Sequence, residues 1–241
     1  MTPLPPYTIR QSPRARHVSL RITPAGELEV VVPEGFDPRQ VPAIVRAQEG
    51  WIARHLARAA ERRVAWREQP ALPGEIALRA VGERWRVEYA ASSGRLTLAE
   101  RPGRRLLLRG AVDDVAACRR LLRRWLTAQA RTHLPPWLED LAREHALSYE
   151  RVALRAQKTR WGSCSSRGTI SLNIKLLFLP EALVRSVLLH ELCHTREMNH
   201  SSAFWARLAT LDPECRRSRA ALRAAWRYVP RWVQEEGGAR R

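Results

Sequence analysis

LLHELCHTREMNHSSAFW, residues 188–205, carries three of the seven histidines of the chain within eleven positions. His190 and His194 are four residues apart, so on a helix they lie on one face and can direct two imidazoles to the same point. Glu191 lies about 100° around such a helix. From there its carboxylate can take a proton from water without binding a metal ion itself. The stretch therefore predicts a His-Glu-x-x-His site for Zn²⁺, with Glu191 as the general base.

A third ligand is expected, because catalytic zinc sites use three protein ligands and leave the fourth position for water. His200 is the first candidate. It requires the helix to end before residue 200, since a straight helix would place it roughly 240° around from His194. Asn199, which tolerates left-handed backbone, and an N-cap at Ser201-Ser202 predict this break and a new helix over residues 203–211. Three acidic residues remain open as alternative ligands: Glu197, Asp212 and Glu214.

The segments around this stretch predict a helical domain with a small antiparallel sheet. A helix should begin at Pro180 and Glu181, with one apolar face at residues 183, 184, 187, 188 and 192. Upstream, RWGSCSSRGTISLN has a turn signal at residues 165–168 and a strand signal at residues 169–173, which is typical of a β-hairpin. A short strand is expected near residues 152–154. Residues 115–147 are helical in pattern, and Pro135-Pro136 should break them into two helices.

The N-terminal region, residues 1–110, is predicted to be β-rich with one long helix. Residues 18–22 and 28–32 alternate apolar and polar side chains around a turn signal at residues 23–26, which predicts a hairpin. The long helix should begin at Asp37 and Pro38 and run to about Arg63. Short strands are expected near residues 76–81, 85–89, 96–98 and 106–108. The periodicity changes after residue 110, so we expect a catalytic domain over residues 111–241 and an α+β fold class.

The net charge, the apolar runs and the cysteines indicate which partners and which cellular compartment to expect. The formal net charge of +18 is large, although only two of the 42 basic residues are lysines and the arginines are spread along the chain. Such a charge attracts polyanions, which makes nucleic acid a candidate partner beside a polypeptide substrate. No apolar run is long enough to span a membrane. The four cysteines form no Cys-x-x-Cys pair and the N-terminus has no secretory signal, which favours a cytoplasmic protein with free thiols.

Two motifs in this chain resemble a known family. RWGSCSSRGTISLN followed by HELCHTREMNHSSAFW closely resembles the YgjP-like metallopeptidases, which are described as predicted metal-dependent hydrolases, and is more distantly similar to SprT-like proteases. RHVSLRITPAGELEVVVPEGF and GWIARHL are similar to the same family, so the resemblance covers nearly the whole chain. It implies a zincin-like catalytic domain in which His190, His194 and His200 bind the metal and Glu191 is the general base.

Three functions are compatible with this sequence. The first expectation is a zinc-dependent peptidase; the alternatives are an amidase acting on small molecules and a DNA-associated, SprT-like protein acting on nucleic-acid-bound proteins. Tyr228 and Arg160 are candidate oxyanion donors by residue type only. Trp161 could line the cleft or be buried, and the edge of the hairpin could pair with an extended substrate or cap the core. The natural substrate, the cleavage preference and the oligomeric state do not follow from the sequence.

Overall fold

A computed structural model of the chain describes residues 4–23, 26–67 and 70–233. These residues form two compact units, which divide between Pro70 and Ala71. Helices and small sheets occur in separate runs in both units, which confirms the predicted α+β class. The expected domain boundary after residue 110 stays a prediction. None of the described helices is both long and apolar enough to cross a membrane.

The first unit contains a three-stranded sheet with the order β1-β3-β2. Its strands are β1 (Tyr7–Gln11), β2 (Ser19–Ile22) and β3 (Leu28–Val32). Strands β2 and β3 pair antiparallel and confirm the predicted hairpin, although Pro24 and Ala25 of its turn lie outside the described residues. Strand β1, which is parallel to β3, was not expected. Four of its five side chains are exposed, so burial of an apolar face contributes little to this strand.

The helix expected from Asp37 is divided. The Asp37 carboxylate accepts a hydrogen bond from the Arg39 backbone N–H at 3.0 Å and caps a 3₁₀ turn, Pro38–Gln40. Helix α1 (Val41–Ala47) follows, and helix α2 (Glu49–Arg67) begins after Gln48, whose φ of −112° and ψ of 15° leave the helical region. Gly50 weakens helix at this point by about 1 kcal/mol relative to alanine. A single uninterrupted helix was therefore the wrong expectation.

The second unit begins with a four-stranded sheet with the order β4-β5-β7-β6. Its strands are β4 (Glu75–Leu78), β5 (Glu83–Ala91), β6 (Thr97–Arg101) and β7 (Arg105–Gly110). Strands β5 and β7 are parallel, and the other two pairs are antiparallel. All four strands predicted from short apolar runs are present.

Helix α3 (Val115–Glu144) continues through Pro135 and Pro136, so the predicted break is wrong. Each proline removes a backbone donor and costs about 3 kcal/mol in a helix interior. The carbonyls that lose their partners belong to Arg131 and Thr132, which are both exposed residues. Buried apolar residues continue along one face on both sides of the prolines and hold the helix together, each contributing about 1.5–3 kcal/mol. They include Leu122, Leu126, Leu134 and Leu138.

The remaining elements carry the histidine-rich stretch. A three-stranded sheet, ordered β8-β10-β9, consists of β8 (Arg151–Arg155), β9 (Gly162–Cys164) and β10 (Thr169–Asn173). The predicted β9–β10 hairpin is antiparallel, but β8 is parallel to β10, so the sheet is mixed rather than antiparallel. Three helices follow: α4 (Glu181–Cys193), α5 (Ser202–Leu211) and α6 (Cys215–Leu222). The predicted apolar face of α4 is buried throughout.

Candidate metal centre

The end of helix α4 brings the third histidine back towards the first two. His194 is the C-cap residue of α4, and the next backbone N–H groups, of Thr195 and Arg196, bond three residues back at 3.0 and 3.1 Å. This tightened turn ends the helix. The Ser201 hydroxyl then caps α5 by accepting from the Phe204 N–H at 3.3 Å. The predicted break before residue 200 is therefore present.

The chain does not turn through left-handed backbone at Asn199. Among the described non-glycine residues, only Arg104 and Ala146 have a positive φ. The backbone instead closes a small turn in which the Ser201 N–H donates to the Asn199 carbonyl at 2.8 Å. The left-handed conformation expected at Asn199 was unnecessary, because the tightened end of α4 already reverses the chain.

The three imidazoles meet at their Nε2 atoms. His190 Nε2 lies 3.2 Å from His194 Nε2 and 3.1 Å from His200 Nε2. One ligand atom from each histidine lies within 4.8 Å of the others, and no other such group of three or more metal-ligating side chains occurs in the part of the chain that the structure describes. A tetrahedral ion with metal–nitrogen bonds of about 2.0–2.1 Å spaces its nitrogens by about 3.3 Å. The distances from His190 Nε2 to the other two nitrogens are therefore close to the spacing that one small ion requires.

The backbone and an aromatic ring orient these imidazoles. His194 Nδ1 lies 2.9 Å from the carbonyl oxygen of Glu197, which can only accept, so Nδ1 carries the hydrogen and Nε2 keeps its lone pair. The Phe204 ring is fully buried, and its centroid lies 4.5 to 5.0 Å from those of all three imidazoles. The rings are thus held by one hydrogen bond and by shared packing against one phenylalanine.

The environment favours the neutral form of two of the three imidazoles, those of His190 and His200. Burial lowers the pKa of His190 to about 3, and the neighbouring His194, His200 and Arg219 add to this effect. Burial and the adjacent His194 also lower the pKa of His200. A neutral imidazole offers a nitrogen lone pair to a metal ion, whereas a protonated one does not. The lowered pKa values of His190 and His200 therefore favour the binding of a cation by these two imidazoles.

The rival acidic residues do not join this group. The Glu197 carboxylate lies 3.9 Å from Arg207, and the Glu214 carboxylate lies 3.6 Å from Arg217. The Asp212 carboxylate accepts from the Glu214 N–H at 3.2 Å, near the start of α6. Cys193 is also outside the group, because its buried sulfur lies 3.7 Å from the Phe204 carbonyl oxygen.

Glu191 lies in the same cavity wall as His190 and His200. It is only 5% exposed, and its Oε2 atom has no hydrogen-bond partner among the described residues. Burial raises its pKa to about 8, and the Arg160 guanidinium opposes this shift. An unpartnered buried carboxylate is costly and uncommon, and a neighbouring cation would stabilise it. The donor set of three imidazoles beside this oxygen thus fits a divalent metal ion.

A comparison with known protein families identifies the family of this chain. Residues 16–225 match the family described as "YgjP-like, metallopeptidase domain". The chain belongs to the YgjP-like family. This membership confirms the resemblance found in the two motifs and supports a metal-dependent peptidase. A search of curated proteins found no match.

The cavity beside the histidines of this YgjP-like domain has a volume of about 560 Å³. Arg160 and Trp161 line it, whereas Tyr228 does not. Trp161 is also largely buried, because it stacks on Trp226 with centroids 4.2 Å apart. Tyr228 lies beneath the guanidinium groups of Arg79 and Arg227 instead. Of the two sequence-based oxyanion candidates, only Arg160 is therefore in a position to face a bound molecule.

Gly162 is a site residue that the sequence analysis missed. A Cβ at this position would lie 2.6 Å from Glu191 Oε1 and less than 3 Å from its Cγ and Cδ. Strand β9 therefore packs its backbone directly against the Glu191 side chain. A glycine inside a predicted strand often marks such a close approach, and that signal was available.

We expect Gly162→Ala to destabilise the YgjP-like domain by about 1–3 kcal/mol, because the enclosed Glu191 side chain must move to admit a methyl group. Gly94→Ala is the matched control. Its Cβ would meet nothing within 4 Å, so it should be neutral or slightly stabilising. Urea unfolding of the two variants measures the difference. Equal stability of both would contradict the close contact between β9 and Glu191.

Proposed function

We propose that this protein is a zinc-dependent peptidase in which His190, His194 and His200 bind the ion and Glu191 is the general base. One observation carries the proposal: three imidazole nitrogens, one from each histidine, lie within 4.8 Å of one another beside a buried carboxylate that has an unpartnered oxygen. This combination of ligands and base is the one that metal-assisted hydrolysis requires.

Zinc is the proposed ion because neutral imidazoles suit it and three protein ligands leave one position open for chemistry. When bound, zinc supplies a Lewis acid that lowers the pKa of water and polarises a carbonyl group. The His194 hydrogen bond to the Glu197 carbonyl would keep the ligand nitrogen directed at the site. Phe204, packed against all three rings, would keep water from the opposite side of the imidazoles.

Glu191 moves the proton in this proposal. Its free Oε2 atom accepts a proton from the attacking water and later donates it to the amine that leaves when the peptide bond breaks. The close contact with Gly162 limits the positions that the carboxylate can take. A base held in place in this way needs little reorganisation during the reaction.

Strand β9 supports a polypeptide as the substrate rather than a small amide. It lies at the end of the sheet β8-β10-β9, and its Gly162 contacts the proposed base. An extended chain can bind to such an edge through backbone hydrogen bonds, which requires no particular sequence. A small amide could not use that edge.

A DNA-associated role is the second candidate, and the charge of the chain supports it. The formal net charge is +18, and Arg216, Arg217 and Arg219 are exposed on helix α6. Electrostatic binding to DNA weakens steeply as salt is added. A DNA shift assay at low and high salt therefore tests this role, and no binding at low salt would exclude it.

We expect the zinc-loaded protein to hydrolyse an unfolded polypeptide. It should hydrolyse a panel of small amides far more slowly. A chelator should lower the rate by about 10³-fold or more, since a metal Lewis acid contributes several kcal/mol, and added zinc should restore it. The assay measures released amines. Hydrolysis confined to small amides would favour the amidase, and hydrolysis that a chelator leaves unchanged would contradict the proposed metal chemistry.

A further inference from the structure

Two arginines line the cavity beside the histidine cluster. Arg160 directly precedes Trp161 and strand β9, and Arg219 belongs to helix α6. Both side chains belong to exposed residues, and neither forms an ion pair with an acidic side chain in the described parts of the chain. The cavity thus contains two guanidinium groups whose hydrogen-bond donors are available to a bound molecule.

Arg219 is held in position by an aromatic stack. Its guanidinium carbon lies 4.6 Å from the centroid of the Trp205 ring. Trp205 in turn stacks on His200, with centroids 5.6 Å apart and planes at 28°. A guanidinium lying over an aromatic face keeps its N–H edge free to bind a carboxylate with two parallel hydrogen bonds. The stack therefore holds a cation at a fixed distance from the histidine cluster.

The cavity wall also has an apolar part, which contributes about half of its surface. The side chains that supply this surface come from β9, α4, α5 and α6 and their flanks: Trp161, Val187, Trp205, Leu208 and Leu222. These apolar side chains exclude water from part of the cavity, which strengthens the attraction of the arginines for a negative charge. The cavity therefore suits a ligand that combines an apolar portion with a carboxylate.

We propose that the peptidase favours substrates with a carboxylate close to the scissile bond, bound by Arg219 with additional attraction from Arg160. This inference rests on the proposed function and adds a specificity-determining residue to it. The carboxylate can belong to an aspartate or glutamate side chain or to the C-terminus of the substrate, because both offer the same two oxygens to a guanidinium.

A peptide carboxylate fits this cavity better than a nucleic acid does. Non-specific binding of a nucleic-acid strand relies on a succession of phosphate contacts along an open groove. Here the two arginines border one cavity of about 560 Å³ that also contains the histidines and Glu191. These two cations lie in the same cavity as the proposed reaction centre, where an acidic residue of a peptide would lie.

Matched peptide pairs test this specificity. The two peptides of the first pair have an amidated C-terminus and differ only by Glu or Gln at one position next to the cleaved bond. The two peptides of the second pair differ only in having a free or an amidated C-terminus. We expect kcat/KM to be about tenfold or more higher for the charged member of at least one pair, as for a charge-assisted hydrogen bond. Which pair responds identifies the source of the carboxylate. Equal values in both pairs would overturn the inference.

Substitutions in helix α6 test whether Arg219 is responsible for the preference for a charged peptide. Arg219→Gln should reduce the preference to within about twofold, and Arg219→Lys should keep part of it, because lysine retains the charge but loses the two-point geometry. Arg217→Gln is the matched control, since Arg217 is exposed on the same helix, pairs with Glu214 and does not line the cavity. A preference that survives Arg219→Gln, or that Arg217→Gln also removes, would contradict the proposal.

A binding measurement separates this inference from the proposed function. Zinc-loaded Glu191→Gln protein is titrated with the same peptides and with a single-stranded DNA oligonucleotide. Binding is followed by the intrinsic fluorescence of the nine tryptophans, two of which, Trp161 and Trp205, line the cavity. We expect the charged peptide to bind about tenfold more tightly than its neutral partner, with the difference lost on Arg219→Gln. Binding with this pattern but no hydrolysis by the wild type would reject the peptidase and keep the carboxylate site. Arg219-dependent binding of DNA alone would reject the carboxylate site.

Discussion

Glu191→Gln is expected to lower peptide hydrolysis by about 10²–10⁴-fold while the protein keeps its zinc, because the amide has the shape of the carboxylate but cannot accept the proton of water. The loss should not reflect unfolding. Glu191 is 5% exposed with one unpartnered oxygen, and a neutral amide is cheaper to bury than a charged group. The measurement is kcat on one peptide together with the zinc content of the same sample.

Glu214→Gln is the control for this experiment. Glu214 is the exposed N-cap residue of helix α6, its carboxylate lies near Arg217, and it does not line the cavity. It should retain hydrolysis within about twofold, as expected of a surface substitution away from the site. Full activity of Glu191→Gln would reject Glu191 as the base. Equal losses in both variants would point to a general effect of removing negative charge.

Much of the centre could be predicted from the sequence because its signals are local. The spacing of His190 and His194 follows from helix geometry, and the serine at residue 201 predicts the start of the next helix. The strands of the β2–β3 and β9–β10 hairpins were likewise marked by alternation and turn residues. Each of these signals involves residues within a few positions of one another, so no knowledge of tertiary packing was needed.

The features that the sequence did not predict depend on distant contacts. Helix α3 passes through two prolines because buried leucines on either side hold it against the core. The contact of Gly162 with Glu191 and the position of Arg219 over Trp205 join separate elements. Periodicity and capping carry no information about such pairs, since they describe one element at a time.

His200→Ala is expected to weaken zinc binding by more than about 100-fold, since even changes to groups that only support a ligand cost 10- to 100-fold. Its Nε2 atom lies 3.1 Å from that of His190, so its removal leaves two imidazoles, too few for a catalytic zinc site. The fold should remain intact, because His200 is exposed in the turn between α4 and α5. Hydrolysis should be lost together with the metal.

Two control variants test whether the loss of zinc is specific to His200. His133→Ala removes a histidine from helix α3, outside the cluster, and should leave zinc binding unchanged. Glu214→Ala removes an acidic residue that the sequence alone left open as a third ligand, and it should also bind zinc normally. Loss of zinc in Glu214→Ala but not in His200→Ala would show that Glu214, rather than His200, is the third ligand.

The stoichiometry of zinc in the wild type and in His200→Ala, measured after loading and extensive dialysis, tests the three-histidine site most directly. We predict one tightly bound zinc ion per wild-type chain and none in His200→Ala. A wild type that retains no zinc, or a His200→Ala variant that binds it as tightly as the wild type, would contradict a metal centre at these three imidazoles.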